Sequence, residues 1–216
     1  MHYNLITKEY KPDAVILGDG DFPVNELPLG ILHNASYICC CDGAAVNLIE
    51  RGIIPDAIVG DGDSLPEELK ERYKDILHIY DEQEDNDLTK STRFCVSKGF
   101  RNIAYLGATG RREDHTIGNV SLMERYLRDF DIMPVMLTDY GYFVPACGTN
   151  TFETFSRQQV SIFNFSCKKI VSKGLDWDTY AYTSWWQGTL NEPSDNIFTL
   201  EADGYMVLYF TYEPKK

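Results

Sequence analysis

Residues 102–128, NIAYLGATGRREDHTIGNVSLMERYLR, decide how the chain is read. The stretch opens on an apolar run of strand length, turns through Gly107 and Gly110, and continues in a helical pattern. Ile117, Val120, Met123 and Leu127 recur at spacings of three and four, which predicts one buried helix face. A strand that feeds a helix through a glycine turn is the building unit of an α/β fold.

The same unit recurs on either side. DAVILG, SYICCC, DAIVG, DILHIY and IMPVMLTD are further strand-length runs, and GAAVNLIERG, PEELKERY and NDLTKSTRFCVSKG have helical character between them. Strands alternating with helices predict a mainly parallel sheet with helices on both faces. Beyond residue 136 the helical period stops, and aromatic and β-branched runs take over: YGYFVP, QVSIFNFSC, KIVSKGLDW and NIFTLEADGYMVLYFTY. The Asp203-Gly204 pair between two such runs predicts a hairpin turn. The expected organisation is therefore an α/β domain over 1–136 and a small all-β sandwich over 137–216.

Bulk properties narrow the function. The chain has 216 residues, 44% of them hydrophobic and 13% aromatic, which suits a packed globular protein. Its formal net charge of -13, with no basic block, argues against nucleic acid as a partner, because phosphate backbones are held by clustered Lys and Arg. No run approaches membrane-spanning length and the N-terminus lacks a signal-peptide core, so a cytoplasmic protein with no membrane association is expected. Of the six cysteines, Cys39, Cys40 and Cys41 are consecutive and no C-x-x-C pair occurs, which predicts buried thiols on a strand.

In a parallel sheet, ligands bind beyond the carboxyl ends of the strands. Polar residues gather at each of those ends here: Asp19 and Asp21, Asp42, Asp61 with Asp63, an acidic run reaching Asp87, and the segment Gly107–His115. Carboxylates converging from separate loops are the usual oxygen donors for Mg²⁺, and Asp61 and Asp63 would point the same way in an extended chain. Asp87 is a third candidate ligand, with Lys90 one helical turn on. For Glu82, Glu84 and Asp85 a solvated helix cap explains the charge equally well. The Gly107–Gly110 turn lies close to a helix N-terminus, whose amides suit phosphate, and Arg112 adds a planar fork. His115 and Asn119 share one face of that helix, and His115 reads either as a structural hydrogen-bonder or as a catalyst. Arg111 reads as solvated surface.

Taken in order, CDGAA, PDAIVGDGDS, EQEDNDLTK and GATGRREDHTIGN resemble the motif set of the thiamin pyrophosphokinases, with GLDW and GTLNEP similar to that family's C-terminal segments. The resemblance spans nearly the whole chain. It implies a Rossmann-like α/β domain that binds ATP and metal, then a β-sandwich that binds thiamin and forms a homodimer. The implied reaction transfers the pyrophosphoryl group of ATP to the thiamin hydroxyl, giving thiamin diphosphate and AMP with Mg²⁺. By position, Asp61, Asp63 and Asp87 resemble the catalytic metal-site aspartates. Gln83, Lys90, Gly107, Thr109, Arg112, Asp114, His115 and Asn119 fall on ATP-contacting positions, and Asp42, Trp177, Thr189 and Asn191 on the substrate side.

Three departures stand out. Asn86 replaces a threonine, Arg111 replaces a glycine, and Leu190 replaces a serine of the family pattern. The alternatives are a hydroxymethylpterin pyrophosphokinase of similar fold, a nucleotide-binding regulatory protein without turnover, and a metal-dependent phosphatase.

Overall fold

The computed structural model describes residues 1–215. The elements run β1 (His2–Tyr3), β2 (Ala14–Leu17), α1 (Glu26–His33), β3 (Ile38–Cys41), α2 (Ala44–Glu50), β4 (Ala57–Gly60), α3 (Glu67–Arg72), β5 (Leu77–Ile79), α4 (Asp87–Ser97), β6 (Asn102–Leu106), α5 (Glu113–Phe130), β7 (Met133–Leu137), β8 (Gly141–Glu153), β9 (Gln158–Asn164), β10 (Ile170–Lys173) and β11 (Ile197–Pro214). A 3₁₀ turn covers Trp185–Gly188.

The order β7-β6-β2-β3-β4-β5 is parallel throughout. Side chains alternate across a strand, so each strand feeds two cores. Val15, Leu17, Cys40 and Ile58 pack with Ile31 and Leu32 of α1 and Leu48 of α2. Ile16, Cys39, Cys41 and Val59 pack instead with Phe94 and Cys95 of α4 and Met123 and Tyr126 of α5. Helices thus cover both faces, and the consecutive cysteines are buried thiols, as expected. The chain builds outward from β2 to β5, then returns through α4 to place β6 on the other side of β2. That reversal is a topological switch point, the place beyond the strands' carboxyl ends where open α/β sheets bind ligands.

The C-terminal strands do not form a detached unit. Antiparallel pairing of Met136 with Phe143 and Leu137 with Tyr142 joins β7 to β8, and β8, β9, β10, β11 and β1 continue the same sheet. β8 and β11 pair along nearly their full length. Phe152 lies against both Phe198, at 5.0 Å, and Phe210, at 5.8 Å between ring centroids, so the far end of this strand pair folds back over its near end.

Some local expectations are corrected. Asp203-Gly204 is no hairpin turn but a bulge inside β11, where Ala202 pairs with Gly148 and Tyr205 with Cys147. The runs on either side both pair with β8 rather than with each other, and the extra residues hold a neighbouring loop. Asp203 Oδ1 accepts from the amides of Lys168 and Lys169 at 2.8 and 2.9 Å. Ile117 is exposed, along with most of the first turns of α5, and Leu127 is only half-buried; the buried face is Val120, Met123 and Tyr126. Helix α1, capped by the Asn25 side chain on Leu27 N at 3.0 Å, has no counterpart among the expected helices. Among the described residues no helix is long and apolar enough to cross a membrane.

Candidate active site

The crevice at the switch point is a cleft of about 380 Å³. Its floor is made by two glycine loops pressed together: Gly20 N donates to Gly107 O at 2.6 Å and Asp21 N to Thr109 O at 2.8 Å. A Cβ on Gly20 would come within 2.6 Å of Gly107 O and run into Thr109 O, so only glycine permits this approach. Asp19, Asp87, Arg111, Arg112 and His115 line the walls. A larger cavity of about 590 Å³ lies under residues 4–11, where Tyr3, Tyr10, Phe152 and Phe210 line it. It opens beside Asn102 and Met133, the amino ends of β6 and β7, away from the charged loops. The smaller cleft has the convergent polar groups and is the better candidate.

Beside the cleft stand the carboxylates that follow β3 and β4. Asp61 and Asp63 do not lie on an extended chain. Gly62 takes a φ of +82°, and Asp63 N donates to Asp61 Oδ1 at 3.1 Å, forming a tight turn with Asp63 exposed. That amide, together with the Gln83 side chain and the Lys90 charge, holds the Asp61 carboxyl below its ordinary range. Asp42 behaves oppositely. It is 2% exposed, its Oδ2 accepts from Ser64 N at 2.8 Å, and its Oδ1 has no partner among the described residues. Burial pushes its pKa up, and the charges of Asp87 and Asp61 push it the same way. Burial likewise raises Asp87, against the pull of Lys90, with Asp61 adding to the rise. Asp42 therefore belongs electrostatically with Asp61 and Asp87. Among the described residues, no three His, Cys, Asp or Glu side chains converge closely enough to hold a metal ion as they stand.

Helix α4 delivers Asp87 and Lys90. Its N-cap is Asn86, whose Oδ1 accepts from Thr89 N at 3.0 Å, so the departure from threonine keeps a capping side chain. Lys90 is almost wholly buried, and its Nζ reaches Asp87 Oδ1 at 3.3 Å. Asn119 donates to Ala108 O at 2.7 Å and accepts from Asn86 at 3.1 Å, tying both helices to the glycine loop. Arg112 lines the cleft while its guanidinium grips Asp114 through 3.1 and 2.6 Å contacts, and His115 lines the cleft with its amide on Asp114 at 2.9 Å.

Asp19 was placed at this edge by the sequence but given no role, and Arg111 was given none. Arg111, expected as solvated surface, lines the cleft with φ +55° and pairs with Asp19 at 2.9 Å. Its signal was present: an arginine standing where a turn wants glycine.

Trp177, Thr189 and Asn191 lie elsewhere, around a separate pocket of about 470 Å³ that shares no lining residue with the cleft. Trp177 is 54% exposed. Asn191 is buried and grips Trp177, accepting from its amide at 3.2 Å and donating to its carbonyl at 2.9 Å. Asn191 positions the tryptophan rather than facing the pocket freely. Thr189 donates its hydroxyl to Trp186 O at 2.7 Å.

Comparison with known proteins decides the family. The family model for the thiamin pyrophosphokinase catalytic domain matches residues 30–136, and that for the thiamin pyrophosphokinase substrate-binding domain matches 141–209. The chain belongs to the thiamin pyrophosphokinase family. Thiamin pyrophosphokinase 1 of Caenorhabditis elegans is 30% identical over 104 residues, covering 44% of this chain and 42% of that protein. Thiamine pyrophosphokinase of Bacillus subtilis is 35% identical over 86 residues, 38% of this chain and 40% of that protein. These alignments span less than half the length of the curated relatives. The thiamin pyrophosphokinase structure from Candida albicans superposes with a TM-score of 0.80 at 18% identity, covering 98% of this chain and 92% of that one. That likeness shows a shared mixed α/β fold.

Proposed function

We propose that the chain is an ATP:thiamin pyrophosphotransferase, moving the pyrophosphoryl group of ATP onto the thiamin hydroxyl to give thiamin diphosphate and AMP. The observation that carries this reading is the cleft at the switch point. It sets a glycine floor and cationic side chains beside carboxylates whose charges are not internally balanced. The family's substrate-binding match over 141–209 favours thiamin over a hydroxymethylpterin acceptor.

In this reading residues 1–136 form a Rossmann-like unit for ATP and metal. Residues 137–216 act as a sandwich-like unit for thiamin and for dimerisation. Exposed Trp177, Tyr180 and Trp186 supply an apolar surface that a second copy would cover in a cytoplasmic homodimer.

The residues fit Mg²⁺. Asp42 Oδ1 is a buried oxygen without a partner among the described residues, and burial raises both Asp42 and Asp87, with the Asp61 charge adding to each rise. Asp61, Asp63 and Asp87, with Asp42, would hold the ion. When bound, Mg²⁺ would screen the carboxylates from the incoming polyphosphate and draw charge from the phosphoryl oxygens. The chain's own part is to seat the nucleotide on the glycine floor, to hold Lys90 beside Asp87, and to exclude water around them. Lys90 and Arg112 would stabilise the charge that develops on the transferred group, with Arg112 exchanging Asp114 for phosphate. Trp177, fixed by Asn191, offers a face on which the thiamin rings would stack.

The test is product analysis with Mg²⁺, ATP and thiamin. Thiamin diphosphate with AMP, lost in Asp87→Asn, supports the proposal. ADP with thiamin monophosphate, or turnover of hydroxymethyldihydropterin alone, refutes it.

A further inference from the structure

Arg111 occupies a place that ordinary surface arginines do not. Its φ of +55° is left-handed, a conformation that costs any residue with a Cβ free energy. A solvated side chain gives no reason to bear that cost, since glycine would serve the turn better. The conformation instead turns the guanidinium over the glycine floor, where Nη1 meets Asp19 Oδ2 at 2.9 Å. Among the described residues Asp19 has one other side-chain partner, the Asn47 amide at 3.4 Å, and it stands beside Gly43 at the start of α2.

The pair lies open in the cleft, with side chains 48% and 44% exposed. An exposed ion pair of this kind is weak, because water screens both partners. A polyphosphate carries more charge than one carboxylate and accepts both arms of a guanidinium, so it outcompetes Asp19 for the same donor. Arg112, next in sequence, is held by Asp114 on its own helix. Arg111 instead reaches across to Asp19, on the other glycine loop.

We propose that Arg111 is a polyphosphate-binding residue of this cleft, kept in position by Asp19 until the terminal phosphates of a nucleoside triphosphate take the guanidinium over. The proposal rests on the nucleotide reading of the cleft. It adds a cation that the family's glycine at this position cannot supply, and it gives Asp19 the role of a place-holder for phosphate.

The test uses the intact protein with Mg²⁺ and measures binding of α,β-methylene-ATP and of AMP by titration calorimetry. The variants are Arg111→Gly, Asp19→Asn and the double substitution. Glycine accepts the left-handed turn, so Arg111→Gly keeps the fold, which an unchanged or higher melting temperature verifies. Arg111→Gly is expected to weaken the triphosphate analogue about tenfold while leaving AMP within about twofold. Asp19→Asn is expected to tighten the analogue at least about threefold more when Arg111 is present than in the Arg111→Gly background. Analogue affinity unchanged in Arg111→Gly, or an equal loss for AMP, overturns the role of Arg111. An Asp19→Asn effect of the same size in both backgrounds overturns the place-holder role. Failure of the unsubstituted protein to bind the analogue overturns the nucleotide reading itself and is distinct from the other results.

Discussion

Replacing Asp42 with asparagine should make the metal-free protein more stable and the catalyst worse. Asp42 is buried with Oδ1 unpartnered, and its charge faces those of Asp61 and Asp87. A buried polar oxygen left without a partner costs about 1–3 kcal/mol. In Asp42→Asn the side-chain carbonyl can still accept from Ser64 N, while the new amide group presents donors to the neighbouring carboxylates. A gain of about 1–2 kcal/mol at neutral pH is expected, and a chain of this size converts each kcal/mol into about 2–4 °C of melting temperature.

The pH dependence fixes the sign. A carboxyl raised in the folded state binds its proton more tightly there than in the unfolded chain. Its contribution is complete below the unfolded pKa and is lost as pH rises through the folded one. The advantage of Asp42→Asn should therefore be near zero in acid and grow from about pH 4 upward. The assay is thermal melting across pH in EDTA, repeated with Mg²⁺. Mg²⁺ should raise the melting temperature of the unsubstituted protein and shift the variant much less. A variant less stable than its parent at neutral pH in EDTA, or equally stabilised by Mg²⁺, would refute the reasoning.

Three further outcomes are expected. Gly20→Ala should force the two glycine loops apart, costing about 2–3 kcal/mol in denaturant titration and abolishing nucleotide binding; an unchanged midpoint would mean the loops yield freely. Asn191→Ala should cost about 2–3 kcal/mol, because its buried amide serves Trp177 and Glu192, whereas Trp177→Ala should change stability by less than about 1 kcal/mol while removing thiamin-dependent fluorescence quenching. Leu190→Gly should raise stability by about 0.5–1 kcal/mol in thermal melts, since Leu190 is exposed and held at φ +64°.

The parts legible in the sequence were those set by local pattern. Apolar runs separated by helical stretches specified the parallel strands, and polar residues at their carboxyl ends marked the edge that carries the cleft. Helix α1 escaped because Pro28 and Gly30 sit inside its short span and weaken every local helix signal. The Asp203-Gly204 bulge escaped because a hairpin signal is local, while the pairing that overrides it joins residues distant in sequence. The polar run Thr89–Thr92 gave no hint of burial. Tyr126 and Tyr105 supply hydroxyl partners at 2.8 and 2.9 Å, and neither lies near it in the chain. Asp61 and Asp63 were legible as a pair, but the turn between them depends on Gly62, whose conformation no period reveals. Arg111 is solvent-exposed, as expected of a charge in a loop, and only its backbone angle and its pairing with Asp19 set it apart.

The long antiparallel pair formed by β8 and β11 has a consequence for how such chains can be recombined. One strand pair carries the register from Tyr142 opposite Phe210 to Glu153 opposite Ile197, and its near end is bonded to β7. The halves matched by separate family models thus share one hydrogen-bonded sheet, joined where β7 meets β8. Severing the chain near residue 140 would strip β7 of its neighbour and leave aromatic β8 and β11 without a floor. A chimera that joins one relative's first half to another's second half must preserve the two-residue register across β7 and β8, or both halves lose their shared seam.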